Sequence, residues 1–140
     1  MYLPDVNVWL ALVFEAHYHN SKAVKWFSSV GDGTCSFCRV TQSGFLRLAS
    51  NPAVFGQEAL TLVKAWEAYD AMKSDSRIFF SNEPEGLELE WRRFTRRHGY
   101  SHKIWSDAYL AAFAHSSGLT IVTFDRGFSA YKGIKSKILA

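Results

Sequence analysis

Tyr2-Leu3-Pro4-Asp5-Val6-Asn7-Val8-Trp9-Leu10-Ala11-Leu12-Val13-Phe14 opens the chain with a short apolar run, a single acid and a second apolar run. The first three residues predict a strand, Tyr2–Pro4. Asp5 suits the start of a helix, because its carboxylate can accept from the N–H groups that a first turn leaves unpaired, and a helix over 6–14 follows. Asp5 is therefore placed at a strand-to-helix junction. The same order returns near the other end, where the apolar run Thr120–Thr123 predicts a strand that delivers Asp125 just past its carboxyl end.

Between these two units the pattern predicts strands over 34–37 and Ile78–Phe80 and helices over 20–30, 40–49, 57–73, 86–98 and 104–116. Gly31 and Gly33 break the helix over 20–30, which places Ala23, Val24, Phe27 and Val30 on one side. Val40, Phe45, Leu46 and Leu48 mark the next helix, which stops at Asn51-Pro52. The helix over 57–73 turns Leu60, Val63, Trp66 and Tyr69 towards a core or a partner. Gly118 stops the last helix. Repeated strand-then-helix units in so short a chain predict an α/β fold, a mostly parallel sheet covered by helices on both faces, in one domain spanning 1–140.

The 140 residues include five Trp, six Tyr and eleven Phe, and 48% are apolar, which argues for a packed interior and against disorder. A formal charge of +3 is compatible with a polyanionic partner without requiring one. Residues 1–14 are apolar but lack a basic leader, are interrupted by Asp5 and Asn7, and fall short of the ~20 residues that span a bilayer. The expectation is a cytoplasmic protein with no membrane segment. Cys35 and Cys38 form a lone Cys-x-x-Cys. A zinc site needs two more ligands and a redox pair belongs at a helix start, whereas these bracket a strand-like run, so both are expected to be reduced structural thiols.

Asp5 follows the first strand, Asp125 follows the last, and Asp107 lies in the first turn of the helix that feeds the last strand. Taken singly, Asp5 and Asp107 are ordinary helix caps and Asp125-Arg126-Gly127 an ordinary turn. Taken together they can converge at one sheet edge, where open parallel sheets carry their functional groups. Three gathered acids repel one another unless a cation neutralises them, and hard oxygen donors select magnesium or manganese. Asn7 and the Thr123 hydroxyl are available to orient the acids.

The runs Leu3-Pro4-Asp5-Val6-Asn7-Val8, Trp105-Ser106-Asp107-Ala108-Tyr109-Leu110-Ala111-Ala112 and Val122-Thr123-Phe124-Asp125 resemble three acidic motifs of the PIN domain family, over about residues 1–131. With Cys38-Arg39-Val40-Thr41-Gln42-Ser43-Gly44-Phe45-Leu46-Arg47-Leu48 and Asn51-Pro52, the likeness is to its VapC branch. The resemblance implies a five-stranded parallel α/β/α sandwich and a magnesium-dependent endoribonuclease toxin acting on a structured RNA such as tRNA or rRNA. It also implies a homodimer and a cognate VapB-type antitoxin that blocks the site. Asp5 and Asp107 would be the main metal ligands and Asp125 the third acid.

One departure stands out. The family usually carries a Glu early in the third helix, near a Thr like Thr41, where this chain has Gln42, Ser43 and Gly44. Gln42 can orient a water through its amide but supplies no charge and is no general base. Three carboxylates balance one magnesium; a two-metal clamp would need the substrate phosphate to complete it. The lost Glu supports an alternative, a catalytically inactive PIN fold kept to bind RNA or the antitoxin. A receiver-like signalling domain is disfavoured, because Ser81-Asn82-Glu83 follows the middle strand where a phosphorylatable Asp would be required.

Binding RNA calls for cations near the acids. Arg92, Arg93, Arg96 and Arg97 supply two i, i+4 pairs on the helix over 86–98, with His98 and Lys103 close behind, for phosphate or antitoxin contact. Pairing with Glu88 and Glu90 on a solvated face is the competing explanation. Lys132, Lys135 and Lys137 are open to both readings. His17 and His19, at i, i+2 beyond the first helix, are expected to be surface or capping residues; Trp66, Tyr69 and Trp91 are expected to meet core or dimer contacts.

Overall fold

The computed structural model describes residues 1–139 and builds a five-stranded parallel sheet in the order β3-β2-β1-β4-β5. Strand β1 (Tyr2–Pro4) lies between β2 (Cys35–Phe37) and β4 (Thr120–Thr123); β3 (Ile78–Phe80) flanks β2 and β5 (Lys135–Ile138) flanks β4. The chain winds outward from β1 in one direction, then returns to the other side of β1 and winds the opposite way. That reversal opens a crevice beyond the carboxyl ends of β1 and β4.

Successive strand residues face opposite sides of the sheet. Leu3 and Ile121 join Leu110, Phe113 and Phe128 on the side of α6 (Leu87–Thr95) and α7 (Ile104–Ser117). Cys35, Phe37 and Val122 join residues of α1 (Val6–Val13), α2 (Asn20–Phe27), α3 (Arg39–Ala49) and α5 (Leu62–Lys73) on the other. This is the three-layer α/β/α sandwich expected. Trp9 stacks on Phe37 with ring centres 4.0 Å apart and both fully buried, locking α1 onto β2. Cys35 and Cys38 are free, buried and in opposite cores, and burial pushes both thiols up. They are the inert structural thiols expected.

Four local expectations need correction. The helix over 57–73 is broken: after α4 (Pro52–Phe55) comes a 3-10 turn, Gly56–Glu58, and α5 begins only at Leu62. Leu60 donates its N–H to the Ala49 carbonyl (2.8 Å), and the Thr61 hydroxyl accepts from Lys64 N–H (3.2 Å), so local capping overrides the helical pattern. Within α5, Ala65 and Tyr69 are buried, whereas Val63 and Trp66 stay exposed.

In α2 the buried pair is Ala23 and Trp26, with Val24 facing out, and the helix ends at Phe27. Helix α6 ends at Thr95, whose hydroxyl donates to the Trp91 carbonyl (2.9 Å). Arg96 and Arg97 thus lie past the helix, and the two i, i+4 pairs do not form. Strand β5 lies in a lysine-bearing segment that no residue pattern marked, although the family resemblance implied a fifth strand.

Candidate active site

Backbone pairing carries β1 and β4 into the crevice together, because Asp5 N–H donates to the Val122 carbonyl at 2.8 Å. Asp5 then caps α1: its Oδ1 accepts from Val6 N–H at 2.7 Å. The fully buried Thr123 sits at the centre of the remaining contacts. Its hydroxyl accepts from Asp125 N–H (3.0 Å) and from the Asn7 amide (3.3 Å) and donates to Asp5 Oδ2 (3.0 Å). With both lone pairs engaged by N–H donors, the hydroxyl proton is committed to Asp5. Asn7 Oδ1 accepts from Phe124 N–H at 3.4 Å, and Asp125 Oδ1 from Gly127 N–H at 2.8 Å. One hydroxyl thus orients two of the three acids.

Asp107 projects from the first turn of α7 and has no such partner among the hydrogen bonds of the described residues. Burial, and then the like charges of Asp5 and Asp125, push its carboxyl up to about 6. No basic side chain forms an ion pair with it among the described residues. Burial also raises Asp5, opposed by the Thr123 hydroxyl and Val6 N–H and reinforced by Asp125. The three acids therefore act on one another, as expected for one edge of the sheet.

Among the described residues, no three His, Cys, Asp or Glu side chains close on one point as they stand. In kind, however, the donor set fits a hard divalent cation: all are carboxylate oxygens, those of Asp5 and Asp107 are partly desolvated, and none is in an ion pair among the described residues. Gln42 is buried and its Oε1 accepts from the Arg39 guanidinium at 2.5 Å, so its hydrogen bond ties it to Arg39 and not to the Thr123 network. Thr41 caps α3, with Oγ1 accepting from Cys38 N–H at 3.0 Å.

A cleft of about 520 Å³ opens beside Asp107, lined by Arg93, Arg97, Lys103, Tyr131 and Lys132 among others. Tyr131 carried no mark in the sequence; burial first and then Asp107 raise its hydroxyl. Of the four arginines, Arg92 pairs with Glu88 (3.0 Å) and Arg93 with Glu90 (2.7 Å), the pairing that the competing explanation names. His17 Nδ1 accepts from His19 N–H (3.0 Å), and His19 stacks on Phe124 at 4.2 Å.

With this sheet, crevice and acid trio, the chain belongs to the PIN domain family, whose model matches residues 2–134, and to its VapC branch. It is 43% identical over 145 residues to Ribonuclease VapC41 of Mycobacterium tuberculosis, an alignment covering 100% of this chain and 99% of that protein. It is 27% identical over 135 residues to Ribonuclease VapC38 of the same organism, covering 91% and 86%. The fold matches the crystal structure of M. tuberculosis VapC20, a sarcin-ricin loop cleaving toxin, with a TM-score of 0.72 at 16% identity over 96% and 98% of the two chains. It also matches DNA-bound VapBC from Salmonella typhimurium with a TM-score of 0.68 at 15% identity over 99% and 98%. No helix among the described residues is long and apolar enough to cross a membrane.

Proposed function

We propose that this chain is a cytoplasmic, magnesium-dependent endoribonuclease, the toxin of a toxin–antitoxin pair, which hydrolyses a phosphodiester of a structured RNA such as tRNA or rRNA. The observation that carries this reading is the mutual repulsion of Asp5, Asp107 and Asp125 at the switch point of the sheet, with none of them in an ion pair among the described residues. Such an arrangement destabilises a fold and is the mark of a site that takes a cation. The ribonuclease names of the full-length relatives support it.

Asp5, Asp107 and Asp125 would hold the ion. Magnesium, or manganese in its place, supplies when bound a counter-charge to the phosphate and a lowered pKa for an attacking water. Thr123 orients Asp5 and opposes the upward push of burial on its carboxyl by donating to Oδ2, and Asn7 fixes Thr123 in turn. Asp125 keeps one oxygen on Gly127 N–H and has the other for ligation or for receiving a proton through water. Gln42 acts through the amide N–H groups that Arg39 leaves free. Arg97, Lys103 and Lys132 hold phosphates next to the one cut. The exposed Leu62, Val63 and Trp66 of α5 offer an apolar surface for a second copy, and a VapB-type antitoxin would block the acids.

A second reading, an inactive PIN fold that only binds RNA or antitoxin, draws on the engagement of Gln42 by Arg39 where an acid is usual. The two are separated by incubating antitoxin-free protein with a pool of structured cellular RNAs, in magnesium or in EDTA, beside an Asp5→Asn control. Discrete, multiple-turnover cuts that need magnesium and vanish in the control are expected. Two folded but equally inert proteins, in magnesium and in manganese, would favour the binding module.

A further inference from the structure

Three clefts join end to end along α6 and α7. The one at Asp107 shares Arg97, Ser101 and Ile104 with a second of about 350 Å³, walled by His98, Tyr100 and Trp105. The second shares Thr95 and Trp105 with a third of about 460 Å³, which ends at Trp91, Arg92 and Arg96. A continuous trough thus leads away from the acids. Two aromatic side chains stand in it uncovered: Tyr100 is fully exposed and Trp105 is 55% exposed.

Trp105 is held in place. Trp91 meets it edge-on with ring centres 6.3 Å apart, and Trp91 Nε1–H donates to the Trp105 carbonyl at 3.0 Å. Trp91 is itself set edge-on against Tyr109 at 5.3 Å. The indole two residues before Asp107 is therefore an ordered apolar surface facing water, which is unfavourable unless something flat covers it. Cations flank it. Arg96, Arg97, Lys103 and Lys132 form no ion pair among the described residues, unlike Arg92 and Arg93.

Unpaired cations alternating with exposed aromatic faces match the repeat of a single-stranded nucleic acid, phosphate then base. A double helix keeps its base faces stacked inside and has none to offer such a platform. We propose that the trough is the track for an unpaired stretch of the RNA substrate, with one base stacked on Trp105, another on Tyr100, and the phosphates between them held by Arg96, Arg97 and Lys103. The inference rests on the ribonuclease reading and adds the side chains that take the strand: Trp105 and Tyr100 under its bases and Arg96, Arg97 and Lys103 on its phosphates, leading towards Asp107.

The test is fluorescence anisotropy in EDTA, which removes the metal that cleavage requires, using a labelled single-stranded RNA octamer and an abasic strand of the same length. Trp105→Ala should weaken the octamer about tenfold, the effect of losing one base stack, and Trp105→Phe should keep most of the affinity. Neither should change binding of the abasic strand. Tyr100→Ala should act in the same sense, and because Tyr100 is fully exposed this variant does not depend on the packing of α7. Arg97→Ala should weaken both strands alike and flatten the salt dependence by about one ion.

Unchanged octamer affinity in both aromatic variants, or an equal loss on the abasic strand, would overturn the track. So would variants that release a protein antitoxin while holding RNA normally, since the surface would then be a protein dock. Wild-type protein assayed in magnesium separates the two levels. Intact cleavage with indifferent aromatics refutes the track alone, whereas no cleavage and no RNA binding removes the ribonuclease reading with it.

Discussion

Asp75 and Asp107 are the same side chain in opposite environments. Asp75 accepts from Arg77 Nε (2.9 Å), a terminal guanidinium nitrogen of Arg77 (2.7 Å) and Arg77 N–H (3.0 Å), which together hold its carboxyl down at about 2. Arg77 continues to the Phe27 carbonyl (3.2 Å) and lies 3.9 Å over the Phe27 ring, so the pair fastens the start of β3 to the end of α2. Asp107 has burial and two carboxylates around it and is pushed up to about 6. In one region the fold satisfies the charge from within; in the other it leaves the charge to be satisfied from outside. A carboxylate raised and unpartnered in a crevice is thus informative about function, and a lowered, bidentate one about structure.

The contrast breaks most sharply at Asp107 itself. Asp107→Asn should reduce magnesium-dependent RNA cleavage on the order of 100-fold or more, measured as single-turnover rate on a cleaved RNA. Thr123→Val, which keeps the shape and removes the hydroxyl, should lower the same rate about 10- to 100-fold. It should also cost about 1–3 kcal/mol in urea unfolding, because the N–H groups of Asp125 and Asn7 lose their acceptor. Gly44→Ala tests the packing beneath the acids. Its new Cβ would lie 2.7 Å from a Val6 methyl, the residue after Asp5, with an expected cost of about 1–3 kcal/mol. The smallest effect belongs to Asp75→Ala, under about 1 kcal/mol for a partly exposed pair, with cleavage unchanged.

The two acids also predict opposite pH trends. The folded protein binds the Asp107 proton more tightly than the unfolded chain does. Its contribution favours folding below about 3.8 and is lost as pH rises through about 6. Asp75, with its folded value lowered, stabilises above about 3.8 and loses that contribution as pH falls towards about 2. Comparing metal-free unfolding curves of wild type and Asp107→Asn between pH 4 and 7.5 isolates the first trend. Stability of the variant that fell just as steeply with pH would contradict it.

Much of this was legible in the residues. The strands Tyr2–Pro4, Ile78–Phe80 and Thr120–Thr123 fall where the apolar runs placed them, because each puts at least one apolar side chain in the core and is bounded by a turn former or a cap. The acids could be assigned to one edge since two of them follow adjacent strands. Strand β5 escaped the residue pattern because Lys135 and Lys137 point outward from a sheet edge, where lysine guards against further pairing and reads as a charged surface. The break before α5 depends on Leu60 pairing with Ala49, a tertiary contact that helical periodicity cannot express. Thr123 was noted as one orienting group among several; that it serves Asp5, Asn7 and Asp125 at once follows only from the β1–β4 register. The exposure of Trp105 and Tyr100 likewise depends on where α6 stops.

The central claim is that the acid trio carries a repulsion which a divalent cation relieves. It is tested most directly by following the melting temperature of wild type and Asp107→Asn at pH 7.5 as magnesium, then manganese, is added to metal-free protein. The variant should begin on the order of 3 °C above wild type and respond little, while wild type rises with metal until the gap closes or reverses. A variant that begins below wild type, or two proteins that rise equally with metal, would contradict the account.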